Sequence, residues 1–478
     1  MKKFSAFILC LILCFSYAPL SFAEETVLKV YNWQDYIDEG KDDDGAKISD
    51  SVMELWEKDY YNRTGKKVRV QYDTFETNET MLNTLRTGRS DYDLVCPSDY
   101  VIQKMISATE KGNDENIAIE KFDISAMPNY TKNVSPYISE LFEKNGWTEY
   151  SVAYMWGTVG FLYNPETVLR EDISTWDFFW NTDYRNQMTC KDVSRDAYVI
   201  GSLYVHRDEL REANEKYKKG EISAEELQKI VNTAANDTTE KNITNVEIAL
   251  SDMKRNIYGF EVDSGKTDIV SGKIHANLAW SGDAVYAMDL AEEEDEKELE
   301  FVIPNEGSTI YFDGWVMPKG ANVELAQDFV DFLCRPEIAV MNMDYIGYTS
   351  AIAGDEIFDL VCENYEEEDG EYEYDLSYFF NGTLSDGKYT DGKAIIRTNT
   401  FGRQLTTQYP STDEVARCGI MEDFGDRNED VLEMWSKVKS NNITAFSYVM
   451  MAFLALVAAF MLTSSVKKKL KKKRRMRR

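Results

Sequence analysis

Between residues 27 and 98 strand-like and helix-like stretches alternate, and this alternation restricts the fold more than any other feature of the chain. Val27 to Trp33 (VLKVYNW) reads as a strand. Residues 50 to 62 follow as a helix, with Val52, Leu55, Trp56 and Tyr60 at roughly helical spacing and Thr64-Gly65 as its end. Residues 68 to 75 (VRVQYDTF) alternate as a second strand, residues 79 to 87 form a short helix stopped by Gly88, and residues 93 to 98 (DLVCPS) read as a third strand. Strand, helix, strand, helix, strand implies parallel strands joined by right-handed crossovers. Ligands of such open sheets gather beyond the carboxyl ends of the strands. Those ends carry Trp33, Gln34, Asp35 and Tyr36, then Phe75 and Glu76, then Ser98, Asp99 and Tyr100. Each end offers an aromatic ring and an acid.

The two ends of the chain imply export. The first 23 residues carry Lys2 and Lys3, the apolar run FILCLILCF and then Ser21-Phe22-Ala23, the pattern of a secretory signal peptide. Leu9 precedes Cys10 and Leu13 precedes Cys14, where a lipid-anchor signal needs a small residue, so no lipid anchor is expected. Residues 443 to 466 are an uncharged stretch of 24 residues, long enough at about 1.5 Å per residue to cross a hydrocarbon core of about 30 Å. The tail KKKLKKKRRMRR, ten basic residues in twelve, is expected to stay cytoplasmic. These readings imply an extracytoplasmic protein, in a periplasmic space or on the outer face of the cell membrane, anchored by a single C-terminal transmembrane helix.

Export also changes the charge balance. Signal peptide and tail hold 12 of the 53 basic residues, which leaves 41 basic against 84 acidic side chains outside. Nucleic acid is excluded as a partner, because phosphate binding needs clustered Lys and Arg. The exported cysteines are Cys96, Cys190, Cys334, Cys362 and Cys418, an odd number without short repeated spacing, which argues against a disulfide framework or a Cys-type zinc site. The only histidines, His206 and His275, fit no paired-ligand spacing, and neither a G-x-S-x-G elbow nor a phosphate loop occurs. No enzyme and no cofactor is expected. Asn62-Arg63-Thr64 and Asn78-Glu79-Thr80 have the form of glycosylation acceptors and are read as chance matches.

About 420 exported residues exceed what one core usually supports, so two lobes are expected. In the middle, residues 160 to 164 read as a strand ending at Pro165, and residues 223 to 235 as a helix whose Ser223 and Glu226 form a capping box. Residues 273 to 288 suggest a strand, a turn at Ser281-Gly282 and a helix. The acid-rich stretches 291 to 300 and 365 to 375 read as solvated loops or helix faces. Val302 and Ile303 read as strand, Pro304 to Gly307 as a turn, and Tyr311 to Asp313 as the returning strand.

Aromatic residues stand beside acids at several strand ends and turns: Trp33 and Tyr36 with Asp35, Tyr100 with Asp99, Trp280 with Asp283, and Tyr311-Phe312 with Asp313. Taken singly, such a pair is more often core packing next to a surface acid. Together they suit a flexible aliphatic amine, since aromatic faces attract an ammonium group and cover methylenes while a carboxylate accepts its charged hydrogen bond.

The segments LKVYNWQDYI, TFETNETMLNTL, YDLVCPSDYVIQKM, AYMWGTVGFLYN, LAWSGDA, IPNEGSTIYFDGWVMPKGA and FVDFLCRPEIAVMNMDYIGYTS occur in order from about Leu28 to Lys439. In these the chain resembles the spermidine/putrescine-binding proteins, the extracytoplasmic receptors of polyamine ABC transporters. The resemblance implies an α/β, two-lobed periplasmic-binding-protein fold of type II-like form, with lobes that close about a hinge. It further implies a polyamine ligand and permease subunits as partners. The corresponding domain plan is lobe 1 at 24–153, lobe 2 at 154–308, a return to lobe 1 at 309–352, and inserted loops with C-terminal helices at 353–442.

Carried over residue by residue, Trp33, Gln34 and Tyr36 match the family's first-strand loop, and Ser98 and Tyr100 its third-strand loop. Trp280 matches an aromatic wall, Tyr311 stands where the family has a tryptophan, Asp313 matches the acid that pairs with a ligand amine, and Tyr348 matches a further tyrosine. Asp196 takes the place of a glutamate, and Asp192 supplies a second acid there after a one-residue shift. The departures are Met421 in place of a glutamine, and insertions at 41 to 49 and about 355 to 410. The same fold binding another small solute, or a membrane-anchored hydrolase, are the alternatives.

Overall fold

The computed structural model describes residues 26–41, 45–88, 91–295 and 297–440. The expected signal peptide, membrane span and basic tail lie outside the described residues. Among the described residues no helix is long and apolar enough to cross a membrane. The expected fold class is corrected on that finding: the two-lobed α/β part stands, and the fold formed by the described residues includes no transmembrane helix. Two compact units are present. The first holds the residues up to Gly157 and Tyr311–Ser411, the second Thr158–Ile310 and the residues from Thr412 on.

The first unit is built on β1 (Thr26–Trp33), with parallel strands on either side. Helix α1 (Val52–Thr64) precedes β2 (Val68–Phe75), and α2 (Asn78–Arg86) precedes β3 (Leu94–Val95). The order is β2-β1-β3, with Val30 level with Tyr72 and Leu94. Ser51 and Glu54 close a capping box at the start of α1, and Gly65, at φ 71°, ends it in the left-handed region that a side chain resists. Val52, Trp56 and Tyr60 bury one face of α1, and the Trp56 indole donates to Asp328 at 2.8 Å.

β3 is two residues long where six read as strand. Pro97 has no N–H for the ladder. The chain beyond it lies antiparallel against the segment 313–316 instead, through bridges Val95 to Val316 and Ser98 to Asp313. Helix α3 (Asp99–Lys111) starts directly after that bridge.

β4 (Val152–Tyr163) is buried at all twelve positions and carries the chain into the second unit after Gly157. Its sequence reads as strand only over residues 160 to 164, because an unbroken apolar run has no period of two to betray it. In the second unit β5 (Met188–Lys191) is followed by helices α4 (Ser194–Val205), α5 (Ala224–Ala235) and α6 (Glu240–Met253). Then come β6 (Gly259–Glu261), β7 (Ala276–Trp280), helix α7 (Ser281–Asp295) and β8 (Glu300–Val302).

β5 lies parallel between β6 and β7, and residues 159 to 163 of β4 run antiparallel to β7. Ser223 and Glu226 form the capping box read from the sequence. No turn separates β7 from α7: Ser281 begins the helix, and its hydroxyl accepts the Thr158 N–H at 3.1 Å.

β9 (Ser308–Trp315), buried at all eight positions, returns the chain to the first unit after Ile310. There β10 (Thr349–Ser350) pairs antiparallel with Met155 and Trp156 of β4. The inserted stretch beyond Gly354 holds helix α8 (Asp355–Tyr365) and an antiparallel pair, β11 (Tyr372–Asp375) and β12 (Ile395–Thr398). It packs on the first unit through Phe379, whose ring stacks on Trp156 at 5.5 Å and whose carbonyl accepts from Ser135 at 2.7 Å.

The chain ends its described course in the second unit. β13 (Cys418–Ile420) pairs parallel with Ser308 to Ile310, and α9 (Asn428–Ser440) buries Val431, Met434, Trp435 and Val438. That apolar stripe at helical spacing, with Glu429, Asp430 and Glu433 around it, is the pattern of a helix packed on a protein core. The five cysteines named above are all free thiols.

Gly160 in β4 has no room for a side chain: a Cβ there would lie 2.5 Å from the Phe301 ring and 2.6 Å from the Val302 carbonyl. Gly160→Ala is expected to cost about 2 kcal/mol, since overpacking a filled core forces neighbours off their rotamers. Urea denaturation followed by tryptophan fluorescence would measure it, and an unchanged midpoint would contradict the packing described.

Candidate ligand-binding site

Asp313 sits within β9, in a strand with no exposed position, so its carboxylate cannot reach water by a small side-chain movement. The strand is held against the segment after β3 by the Ser98–Asp313 bridge and by the Gly314 N–H, which donates to the Pro97 carbonyl at 3.1 Å. Glycine at 314 also lets the strand pack against the start of β4, since a Cβ there would lie 2.3 Å from the Ser151 hydroxyl. The residue is 6% exposed. Its Oδ2 accepts from the Tyr36 hydroxyl at 2.7 Å, and its Oδ1 accepts from the Ser98 hydroxyl at 2.7 Å. Burial pushes its pKa up to about 6, and the two hydroxyls hold it from rising further. Among the described residues Asp313 takes part in no ion pair.

Tyr36 links the acid to a cluster of rings. Its ring meets Tyr348 edge-on at 5.0 Å and Tyr154 at 5.7 Å, and Tyr348 lies 6.4 Å from Tyr311. Burial, and then the charge of Asp313, push the Tyr36 phenol well above its ordinary value, so Tyr36 stays a donor. The backbone of the loop is fixed as well, because the Tyr36 carbonyl accepts from Tyr154 at 2.8 Å and from Asn32 at 3.3 Å.

On the other side, Asn78 at the start of α2 donates to the Ser98 hydroxyl at 3.1 Å and to the Tyr100 hydroxyl at 3.0 Å. Trp33 ends β1 against Phe75, with ring centroids 4.6 Å apart, and Gln34 is exposed beside Asp35.

Eight of the residues singled out from the sequence therefore belong to the first unit. Tyr36, Ser98 and Asp313 share hydrogen bonds, Tyr100 joins them through Asn78, and Tyr348 and Tyr311 join them through ring contacts. Trp33 and Gln34 lie on the same loop as Tyr36. Asn78 and Tyr154 were missed. Asn78 had a signal of another kind, the Asn78-Glu79-Thr80 tripeptide; the residue is 4% exposed and its side chain is committed to hydrogen bonds.

The second unit holds Asp192, Asp196 and Trp280, and here Asp192 and Asp283 find cations within the chain. Asp192 is paired with Lys439 at 2.6 Å. Asp196 is buried in the first turn of α4, where the helix dipole favours a carboxylate. Asp283 shows what became of the Trp280–Asp283 pair. The fully buried ammonium of Lys191 lies 3.1 Å from Asp283, 2.8 Å from the Val262 carbonyl, 3.6 Å from Glu261 and 4.5 Å from the Trp280 ring centre. The chemistry expected for a ligand amine at this spot is supplied by a lysine of the protein itself. Among the described residues no group of acids, cysteines or histidines could hold a metal ion.

A spermidine/putrescine-binding periplasmic protein of Salmonella typhimurium is 26% identical over 351 residues, covering 73% of this chain and 84% of that protein. The putrescine-binding periplasmic protein SpuD of Pseudomonas aeruginosa is 28% identical over 362 residues, covering 74% and 86%. Among solved structures, the TpPotD lipoprotein of Treponema pallidum superposes with a TM-score of 0.57 at 22% identity, covering 86% of this chain and 99% of its own. PotD of Streptococcus pneumoniae, a spermidine/putrescine ABC transporter substrate-binding protein, gives 0.55 at 22%, covering 87% and 99%. At these identities the solved structures speak to the fold. Residues 56–354 match a family of solute-binding proteins, which are not enzymes. The chain belongs to the bacterial extracellular solute-binding protein family.

Proposed function

We propose that the chain is the substrate-binding component of a polyamine ABC transporter, capturing putrescine or spermidine outside the membrane for delivery to a permease. The observation that carries this reading is the buried Asp313 carboxylate, which accepts from two neutral hydroxyls and pairs with no basic residue among those described. An ionised carboxylate offers about four lone-pair positions, and Tyr36 and Ser98 each use one. A ligand group meeting Asp313 has to donate hydrogen bonds, and an ammonium supplies both the donors and the opposite charge. The rings of Tyr36, Tyr311 and Tyr348 offer apolar surface for methylenes beside it. The names of the relatives, spermidine/putrescine-binding and putrescine-binding, support the same ligand class. Trp33, Gln34, Tyr100, Trp280, Asp192 and Asp196 are assigned to the ligand on the resemblance alone, and Asp192 is the weakest of these because Lys439 already neutralises it.

Calorimetry is expected to show putrescine or spermidine binding at micromolar or tighter affinity; absence of heat with every polyamine would overturn the reading. Asp313→Asn is expected to weaken binding by at least ~1.5 kcal/mol, about tenfold, because it removes the charge from a buried pair. An unchanged affinity would take Asp313 out of the site.

The acid also gives two pH signatures. Aliphatic ammonium groups stay charged below about pH 9, so between pH 8 and 5 Asp313 is the partner that titrates. Affinity is expected to fall as pH drops through about 6, and to be roughly tenfold weaker at pH 5 than at pH 8, with no such fall in Asp313→Asn. The protein without ligand behaves in the opposite sense. A carboxyl whose folded pKa, about 6, exceeds its ordinary 3.8 contributes stability that is complete below pH 3.8 and lost as pH rises through 6. Asp313→Asn is therefore expected to be more stable than the parent at pH 8, by about 3 kcal/mol, with the difference falling to a small fraction of that near pH 4. Thermal unfolding at the two pH values would check this.

A further inference from the structure

We infer that Asn78 is a positioning residue of the site, one that acts through the Ser98 hydroxyl to keep its hydrogen directed at Asp313. The inference rests on the polyamine reading of the Asp313 site and deepens it.

The argument starts from a group that can only donate. The backbone N–H of Ser98 points at Asn78 Oδ1, at 3.3 Å, so the carboxamide oxygen has to face it. The amide NH2 of Asn78 then faces two hydroxyl oxygens, Ser98 Oγ at 3.1 Å and Tyr100 Oη at 3.0 Å. Each hydroxyl has one hydrogen, and each has now used a lone pair to accept from Asn78. The Ser98 hydrogen is left to go to Asp313 Oδ1, 2.7 Å away, and the Tyr100 hydrogen to Glu79 Oε1, 3.4 Å away.

Asn78 itself has little freedom. It is the first residue of α2, directly after the capping Thr77, whose hydroxyl accepts the Thr80 N–H at 3.2 Å. The residue is buried, at 4% exposure, among its three hydrogen-bond partners. Remove the amide, and the Ser98 hydroxyl can turn its hydrogen elsewhere, leaving the ionised Asp313 with Tyr36 as its one sure donor. The charged form of the acid is then less favoured.

Other groups facing Asp313 do not compete in the relevant range. Tyr36 from the loop after β1, Cys96 after β3 and Tyr154 of β4 are all pushed above their ordinary values by burial, and so keep their protons between pH 5 and 8. Tyr348 meets the Tyr36 ring, and Tyr311 meets Tyr348. Glu79 touches the chain of hydrogen bonds at its far end, through Tyr100.

The test is the pH profile of putrescine binding by calorimetry, on the full chain, at pH 8 and pH 5.5. In the parent the affinity is expected to drop about fourfold between the two; in Asn78→Ala the drop is expected to be about tenfold or more, with affinities at pH 8 much closer. In a Ser98→Ala background, Asn78→Ala is expected to add nothing, because the route through the hydroxyl is already cut. An equal drop in parent and Asn78→Ala, or a shift that survives in the Ser98→Ala background, would overturn the inference.

Asn78→Leu keeps the side-chain size while removing both donors without adding a charge, and serves in the same cycle should Asn78→Ala fail to fold. A carboxyl 13C NMR titration of the ligand-free protein, with the Asp313 signal assigned by its loss in Asp313→Asn, separates this inference from the polyamine reading. If the parent binds neither putrescine nor spermidine, the ligand reading falls. Asn78 is still confirmed or refuted by whether its removal raises the titration midpoint of Asp313.

Discussion

Everything proposed for this protein depends on keeping one carboxylate charged inside a strand that has no exposed position. Burial disfavours the charged form of Asp313, and only the hydroxyls of Tyr36 and Ser98 oppose that cost. The surrounding structure is arranged to hold those two hydroxyls. Tyr36 is fixed by its ring contacts and by hydrogen bonds to its carbonyl, Ser98 by a β-bridge and by Asn78. Replacing the acid by a neutral group would relieve the folded protein of that cost.

The second unit shows the other solution to the same problem. Lys191 is wholly buried, yet its ammonium has two carboxylates, a backbone carbonyl and an indole face around it, so the charge is met on every side by the chain. Adjacent letters in the sequence could not separate these cases. Trp280 with Asp283, and Tyr311 with Asp313, look alike as aromatic beside acid. The difference is a lysine 92 residues from Asp283 in the first case and a serine 215 residues from Asp313 in the second.

Elements with a strong local signal were legible. The capping box at Ser223, the helix stop at Gly65 and the alternation of residues 68 to 75 all rest on neighbours within a turn or a strand, and they stand where they were read. Elements whose form depends on distant partners were not. Residues 93 to 98 became a two-residue strand because Pro97 breaks the ladder and β9 takes over the pairing. β4 extended to residue 152 because it is buried at every position and so shows no alternation.

The site divides the same way. Tyr36, Ser98 and Asp313 came from strand ends and from the resemblance. Asn78 was passed over because a buried asparagine at a helix start differs from a surface one only in what surrounds it. The membrane helix expected at the C-terminus came from an uncharged run of 24 residues followed by a basic tail, and the described fold contains no such element.

The residues that meet at Asp313 are far apart along the chain: 277 positions separate it from Tyr36 and 215 from Ser98. Contacts of such long range are assembled late, since a large loop has to close before they return any stabilisation. Until β9 has been made and docked, Tyr36 and Ser98 have no acid to hold. Asp313, still in water, is an ordinary carboxylate with an ordinary affinity for protons. Where the surrounding pH lies between about 4 and 6, final docking of β9 is therefore also a proton-uptake step. A growing or unfolded chain has no partial version of this hydrogen-bonded cluster.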